Sequence, residues 1–237
     1  MGIQIRKNVE EYMQELKKWI RETADTGLEE MDGFFTARVS GYEAHMAVWE
    51  EAYRRFAGLL PQGCRNILDL GCGTGLELDK IWMRYPELTV TGVDLCQSML
   101  DKLKEKHPDK KLETVCADYF SYDMGERKWD AVISFESFHH FLPERKKELY
   151  HKIFRALKEG AVFILGDYLA CCEEEEELLR KTCLEKRKKS GMKEDVSVHF
   201  DIPLTLGHEM ELLQEAGFSR VDVVDCIEGA TLVISKK

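Results

Sequence analysis

The run Asn66-Ile-Leu-Asp-Leu-Gly-Cys-Gly-Thr-Gly-Leu76 constrains the fold more than any other part of the chain. Ile67, Leu68 and Leu70 give the apolar run of a strand buried on both faces, and such strands belong to parallel sheets covered by helices. Gly71, Gly73 and Gly75 then allow backbone angles and close ligand approach that a side chain would block. Leu76, Leu78, Ile81 and Trp82 follow at helical spacing, so a helix begins whose N-terminal amides point back at the turn. Strand, glycine turn and helix in that order make a nucleotide-type binding unit.

The glycine spacing separates two ligand classes. A dinucleotide fingerprint requires Gly-x-Gly-x-x-Gly, with the last glycine close to a pyrophosphate. Here Leu76 stands where that glycine belongs, and Asp69 places a carboxylate where a phosphate is repelled and a cation welcomed. Downstream, Leu88 to Asp94 reads as a second strand ending in an acid suited to a ribose hydroxyl pair. Gln97 opens a helix, and Leu112 to Cys116 forms a third strand closed by Ala117-Asp118-Tyr119, an acid and an aromatic able to bond and cover an adenine. Lys128 to Phe135 forms a fourth strand, followed by Glu136-Ser-Phe-His-His-Phe141.

In this order the chain resembles the class I S-adenosylmethionine-dependent methyltransferases. The segments that carry the likeness are Leu68 to Gly75, Thr91 to Asp94, Cys116 to Asp118, Trp129 to Ser134 and Leu157 to Gly160. The resemblance implies an α/β, Rossmann-like sheet of seven strands, mostly parallel with one antiparallel strand near the edge, and with helices on both faces. It also implies S-adenosylmethionine as cofactor, with Tyr42, Asp69, Gly71, Cys72, Gly73, Gly75, Asp94, Leu95, Met99, Asp118, Tyr119 and Ser134 around it. Asp69 and the glycines are expected at its methionine end, Asp94 at the ribose, and Asp118 with Tyr119 at the adenine.

Length supports a single domain. Residues 1–60 are expected to form a helical cap, 61–168 the cofactor-binding core, 169–205 a helical lid, and 206–237 a helix and hairpin. In the cap, Val9, Tyr12, Met13, Leu16 and Ile20 recur at helical spacing, and a second helix is expected from Tyr42 to Leu59. Gly33 to His45 resembles the segment that folds over the cofactor in small-molecule members of the family, although its aromatics equally suit a core. Pro143 to Leu157 reads as a helix, Ala161 to Asp167 as a fifth strand, and Cys172 to Ser190 as a solvated helix with pairs such as Glu176 to Arg180 and Glu177 to Lys181. Val196 to Pro203 is loop-like, Thr205 is expected to cap a helix through Leu213, and a hairpin is expected to turn at Glu228-Gly229.

The formal net charge of −10 argues against a duplex nucleic-acid partner, because such binders neutralise phosphates with a basic face. The clusters Lys102/Lys104/Lys106, Lys110-Lys111 and Lys186 to Lys189 each have acids close by, including Asp101, Glu113 and Glu194, and read as solvated faces. No apolar run is long enough to span a bilayer. The first seven residues lack the apolar centre of a secretory signal, and Arg6 stands where a myristoylation pattern on Gly2 needs Ser or Thr. A cytoplasmic location without membrane attachment is therefore expected. The eight cysteines form no Cys-x-x-Cys pair and read as reduced thiols.

Catalytic residues are sought after the fourth strand. His139 and His140 are candidates for a general base, with at most one expected to face the pocket because adjacent side chains diverge. Phe135, Phe138 and Phe141 suit either an acceptor pocket or the core. His139 or His140 could meet Asp167 and His199 at a metal, but no local ligand spacing supports this and none is expected. The Asn/Asp-Pro-Pro-Tyr and Pro-Cys motifs of nucleic-acid methyltransferases are missing, which favours a small-molecule acceptor. A tRNA or protein methyltransferase, and a cofactor-binding protein without transferase activity, are the alternatives; a nicotinamide dehydrogenase disagrees with the glycine spacing.

Overall fold

A computed structural model describes residues 4–193 and 196–237. Met1 and Gly2 of the lipidation pattern, and Glu194 beside the third basic cluster, lie outside the described residues. The chain begins with α1 (Val9–Glu22), a two-residue strand β1 (Glu29–Glu30), α2 (Met31–Met46), a 3-10 turn (Ala47–Trp49) and α3 (Glu50–Ala57). The core follows as β2 (Asn66–Leu70), α4 (Leu76–Arg84), β3 (Thr89–Asp94), α5 (Gln97–Lys106), β4 (Leu112–Cys116), β5 (Trp129–Phe135), α6 (Pro143–Ala156) and β6 (Leu157–Tyr168). Then come α7 (Glu173–Ser190), β7 (Val198–His199), α8 (Leu206–Glu215), β8 (Arg220–Ile227) and β9 (Ala230–Lys236).

Seven strands form one sheet in the order β4-β3-β2-β5-β6-β9-β8. All neighbours pair in parallel except β9, which is antiparallel to both β6 and β8 and lies next to the edge, as expected. From β2 the chain builds outward to β4 and then returns to place β5 on the other side of β2. That reversal opens a crevice at the carboxyl ends of β2 and β5, the usual ligand position in such sheets. The glycine turn leaves β2 there, and Glu136 to His140 leave β5 there, so topology alone brings the two motif regions together.

Both faces of the sheet are covered. Phe56, Leu78, Ile81, Trp82 and Leu103 bury one face beneath α3, α4 and α5, while Tyr150, Ile153, Leu213 and Phe218 bury the other beneath α6 and α8. Trp129 is wholly enclosed, and its indole N–H donates to the Met124 carbonyl at 2.7 Å, so burial leaves no polar group unpaired. A third cluster, built from Met13, Leu16, Leu179, Cys183, Phe200 and Ile202, holds α1 against α7 and the segment after β7.

Three expectations require correction. The helix expected from Tyr42 begins at Met31 and breaks at the 3-10 turn, so the segment from Gly33 to His45 is itself helical. Gly33 and Gly41 each disfavour this by roughly 1 kcal/mol relative to Ala; Met31, Phe35, Tyr42 and Met46 offset it by facing the interior at near-helical spacing. The segment from Val196 contains β7, antiparallel to β1 through Glu30↔Val198 and Glu29↔His199. Two residues cannot display a strand period, so the sequence carried no signal for it.

The third correction concerns α7, which is not simply a solvated helix. Glu175 is wholly buried and accepts hydrogen bonds from the Tyr12 hydroxyl at 2.5 Å, the Cys171 N–H at 2.6 Å and the Tyr168 hydroxyl. Glu176 accepts from the Thr205 N–H at 2.6 Å and meets His208 at 2.9 Å, and no pair of Glu176 with Arg180 or Glu177 with Lys181 occurs among the described residues. Lys186 turns inward to the carbonyls of Thr23 and Thr26, at 2.5 and 2.7 Å. Thr205 stands at the N-cap of α8, but its side chain makes no capping bond there. No helix among the described residues is long and apolar enough to cross a membrane.

Candidate active site

The glycine turn is held in a conformation that side chains resist. Gly71 has φ 76°, and a Cβ there would lie 2.2 Å from Ser137 Oγ; Gly75 has φ 73°, and a Cβ there would lie 2.4 Å from Leu103 Cδ1. Both a left-handed backbone and close packing therefore select glycine. The turn is tied to the end of β3 through Asp94, whose Oδ2 accepts from the Gly73 N–H and whose Oδ1 accepts from the Cys96 N–H, both at 2.8 Å. Burial raises the Asp94 carboxyl above its usual range even with these bonds in place.

A cleft of about 50 Å³ runs from this turn across the ends of β3 and β4, lined by Tyr42, Gly71, Gly73, Asp94, Leu95, Met99, Asp118 and Tyr119. These eight expected cofactor contacts thus come together. Met31, Asp32, Ala117, Ser137, Phe141 and Ser197 also line it. None of these was expected at the cofactor, although Ala117 directly follows β4 and Ser137 lies two residues past β5, where such contacts concentrate.

Four expected contacts lie elsewhere. Ser134 is wholly buried and donates to the Leu70 carbonyl at 2.7 Å, bracing β5 against β2 instead of lining the cleft. Cys72 turns into the core, where a Cβ on Gly92 would meet its Sγ at 2.7 Å. With Gly75, Thr74 and Glu77, Cys72 borders an adjoining space of about 10 Å³. Asp69 is fully enclosed on β2, and neither of its oxygens has a hydrogen-bond partner; Thr74 Oγ1 and Glu77 Oε1 are equally orphaned.

Orphaned buried polar atoms are costly and point to a missing partner. Burial, followed by the nearby Glu77, pushes the Asp69 carboxyl well above the ordinary range, and burial pushes Glu77 up to about 7. Two adjoining acids and a hydroxyl beneath a glycine turn fit the cationic amino-acid end of a ligand. The ammonium group of the methionine portion of S-adenosylmethionine is a cation of this kind.

Beyond the cleft lies a cavity of about 770 Å³. Phe35, Tyr42, Glu136 and His140 line both spaces, so the two meet at these side chains. Phe34, Arg38, Gly41 and Trp49 form part of the outer wall, with Arg6, Tyr168, His199 and Asp201 completing much of the remainder. His199 stacks on Phe34 with ring centroids 3.5 Å apart. Contrary to expectation, both His139 and His140 face this cavity, their ring centroids 4.0 Å apart. The 3-10 turn at Phe138–His140 sends Phe138 into the core instead. Phe135 is also core, packed on Tyr53 and Phe56, and only Phe141 of the three lines the cleft.

His139 Nδ1 lies 2.6 Å from Asp167 Oδ1, and its Nε2 lies 3.6 Å from Asp201 Oδ1. Burial opposes charge on this imidazole, but Asp167, Asp201 and Glu136 outweigh it and hold its pKa up at about 9. The three acids therefore favour the protonated form of this imidazole. His140 differs: burial, then the charge of His139, pushes it below the usual histidine value. Its Nδ1 is 3.3 Å from both the Phe200 carbonyl and Asp201 Oδ1. Burial likewise lowers His199 to about 4 and raises Glu136 to about 8.

Two basic side chains, Arg6 and Arg38, line the cavity; Arg38 pairs with Glu29 at 3.1 Å, and Arg6 lies over the Tyr12 ring. Lys106 is occupied by Glu43 and Asp79 at 2.9 and 3.0 Å, Lys111 by Glu87 at 2.9 Å, and Arg187 by the carbonyls of Lys193 and Val196.

Residues 67–160 match the family model of a methyltransferase domain. A carboxy-S-adenosyl-L-methionine synthase from Nautilia profundicola is 26% identical over 172 residues, covering 67% of this chain and 71% of that protein. A malonyl-[acyl-carrier protein] O-methyltransferase from Priestia megaterium is 32% identical over 125 residues, covering 50% of this chain but only 45% of its own length. The fold is similar to human N-acetylserotonin methyltransferase solved with S-adenosylmethionine, at a TM-score of 0.58 and 18% identity, covering 81% of this chain and 55% of that one. Residues 67–160 are thus a methyltransferase domain, and the ordered motifs, the seven-stranded sheet and these relatives support a class I S-adenosylmethionine-dependent methyltransferase with S-adenosylmethionine as its cofactor.

Proposed function

We propose that this enzyme methylates a small molecule held in the 770 Å³ cavity. The observation that carries the reading is the shared lining at Phe35, Tyr42, Glu136 and His140, which joins a cavity of small-ligand size to the cofactor cleft. Bound S-adenosylmethionine supplies an electrophilic methyl group carried on a sulfonium. Asp69 and Glu77 hold its amino-acid end, Asp94 its ribose, and Asp118 with Tyr119 its adenine. The protein's further task is alignment, because fixing the acceptor beside the methyl donor removes much of the entropic barrier. His140, at the junction, is the side chain placed to contact the acceptor as it approaches. The walls formed by α2 and the β7 segment exclude water.

A nucleic-acid acceptor has less support. The net charge is −10, and Lys106, Lys111 and Lys186 of the basic clusters are engaged with acids or backbone.

Gly41 offers a direct test, since it lines the cavity and a Cβ there meets nothing within 4 Å. Gly41→Trp should fill acceptor space while S-adenosylhomocysteine still binds with wild-type affinity. An acceptor screen reading S-adenosylhomocysteine release should find a small-molecule substrate whose kcat/KM falls at least about tenfold in the variant. Full activity of Gly41→Trp on that substrate places the acceptor elsewhere.

A further inference from the structure

The cavity wall beside the proposed acceptor position carries an arrangement that methyl transfer itself does not require. Three carboxylates, Glu136, Asp167 and Asp201, surround His139, and no lysine or arginine pairs with any of them among the described residues. Glu136 lines the cavity, its side chain is 9% exposed, and its buried Oε1 has no partner. Asp167 is 0% exposed, and its Oδ2 is likewise unpartnered. One imidazole faces three carboxyl groups, and buried acids in excess of their compensating charge call for a further cation.

Donor positions define where such a charge fits. At 2.6 Å, His139 Nδ1 and Asp167 Oδ1 are too close to ligate one ion side by side and instead form a hydrogen bond. That bond orients the ring so that Nε2 faces Asp201, 3.6 Å away, while His140 Nδ1 lies 3.3 Å from the same Asp201 oxygen. Donor atoms of His139, His140 and Asp201 all fall within 4.8 Å of one another. An ion about 2.1 Å from each donor sets neighbouring donors about 3.0–3.4 Å apart, close to these spacings.

We propose that His139, His140 and Asp201 bind a divalent first-row transition metal ion in the wall of this cavity. The ion takes the place of the His139 Nε2 proton, which is released to solvent, and two imidazoles with one carboxylate suit such an ion and leave coordination positions open to the cavity. Asp167 acts through His139, as carboxylates behind metal-ligating histidines do, and Glu136 stands nearby with an unpartnered carboxyl oxygen. The open positions take an oxygen donor of the small molecule, lowering the pKa of a hydroxyl bound there. That role rests on the cavity being the acceptor site; the ion site itself does not.

The test uses Co²⁺ as probe on the full-length protein after chelator dialysis. Titration should give visible d–d absorption saturating at one ion per chain, abolished in His139→Gln and in Asp201→Asn. Asp167→Asn should weaken Co²⁺ binding by about 10–100-fold. S-adenosylhomocysteine binding on the same samples reports whether each variant is folded. In the wild-type protein, Co²⁺ should also perturb the ring-proton NMR signals of His139 and His140, which locates the ion without any substitution. The proposal is overturned by absence of a saturable band in wild-type protein, by a band that persists in folded His139→Gln and Asp201→Asn, or by unperturbed histidine signals. None of those results touches methyl transfer to a small molecule, which the acceptor screen decides separately.

Discussion

Asp94 does two jobs with one carboxylate. It lines the cofactor cleft, and it fixes the glycine turn by accepting the Gly73 and Cys96 N–H groups. Asp94→Ala should weaken S-adenosylhomocysteine binding by about 1–3 kcal/mol, the range for a charged hydrogen-bonding group, without unfolding the protein. Calorimetry checks this, and unchanged affinity in the folded variant means that the ribose is held elsewhere. Glu77 gives a pH-dependent prediction. Its folded-state pKa, about 7 against an ordinary 4.5, means that the unfolded chain ionises first as pH rises. Stability is therefore unaffected by this group below about pH 4.5, falls between there and about pH 7, and stays reduced above that. In cofactor-free protein at pH 8, Glu77→Gln should be more stable than wild type by roughly 1–3 kcal/mol, the difference vanishing near pH 4. Parallel pH profiles of the two proteins in thermal unfolding contradict the assignment. At this scale the sequence revealed motif positions but not directions. Asp69, Gly71 and Asp94 sit in recognisable order, whereas Ser134 turning to the Leu70 carbonyl and both histidines turning to one cavity depend on packing from elements distant in the chain.

Helix α6 is fastened to α8 by a buried ion pair. Lys146 Nζ and Glu209 Oε2 are 2.7 Å apart with both side chains 0% exposed, and the Tyr150 hydroxyl donates to Glu209 as well. Removing one partner strands the other charge, so Glu209→Ala should destabilise the fold by about 3–5 kcal/mol, while Lys146→Met with Glu209→Leu should cost much less. Denaturant unfolding of the single and double variants measures the difference; equal losses contradict it. Helix α2 carries the dynamic prediction. The cleft of about 50 Å³ is narrow for a small-ligand site, and Met31, Phe35 and Tyr42 of α2 line it, so α2 is expected to shift as the cofactor enters. Hydrogen exchange should slow in α2 and around β7 on addition of S-adenosylhomocysteine. Protection confined to the glycine turn contradicts the lid reading. These elements were also the least legible in the sequence. Apolar runs and ordered motifs marked β2 to β6, and amphipathic runs the helices between them, but the glycines inside α2 obscured its start, and β1 with β7 are too short to show a period.

At the scale of the whole molecule, strand order explains why distant motifs form one site. The reversal between β4 and β5 places the turn after β2 beside the residues after β5, and the antiparallel β9 completes the sheet away from that crevice. This much was readable from the order of motifs, since strands alternating with amphipathic helices admit few sheet topologies. The acceptor cavity was not, because its wall combines Arg6, α2, Trp49, the turn after β5, Tyr168 at the end of β6, His199 and Asp201, and the Glu228-Gly229 turn, places with no shared sequence signal. The central claim concerns what receives the methyl group, and isotope tracing addresses it most directly. Purified enzyme is incubated with methyl-labelled S-adenosylmethionine and an unfractionated cell extract, and labelled products are separated by size. Label should appear in a low-molecular-weight compound with wild-type enzyme and be strongly reduced with Gly41→Trp. Label found only in protein or nucleic acid, or equal low-molecular-weight labelling by both enzymes, contradicts the account.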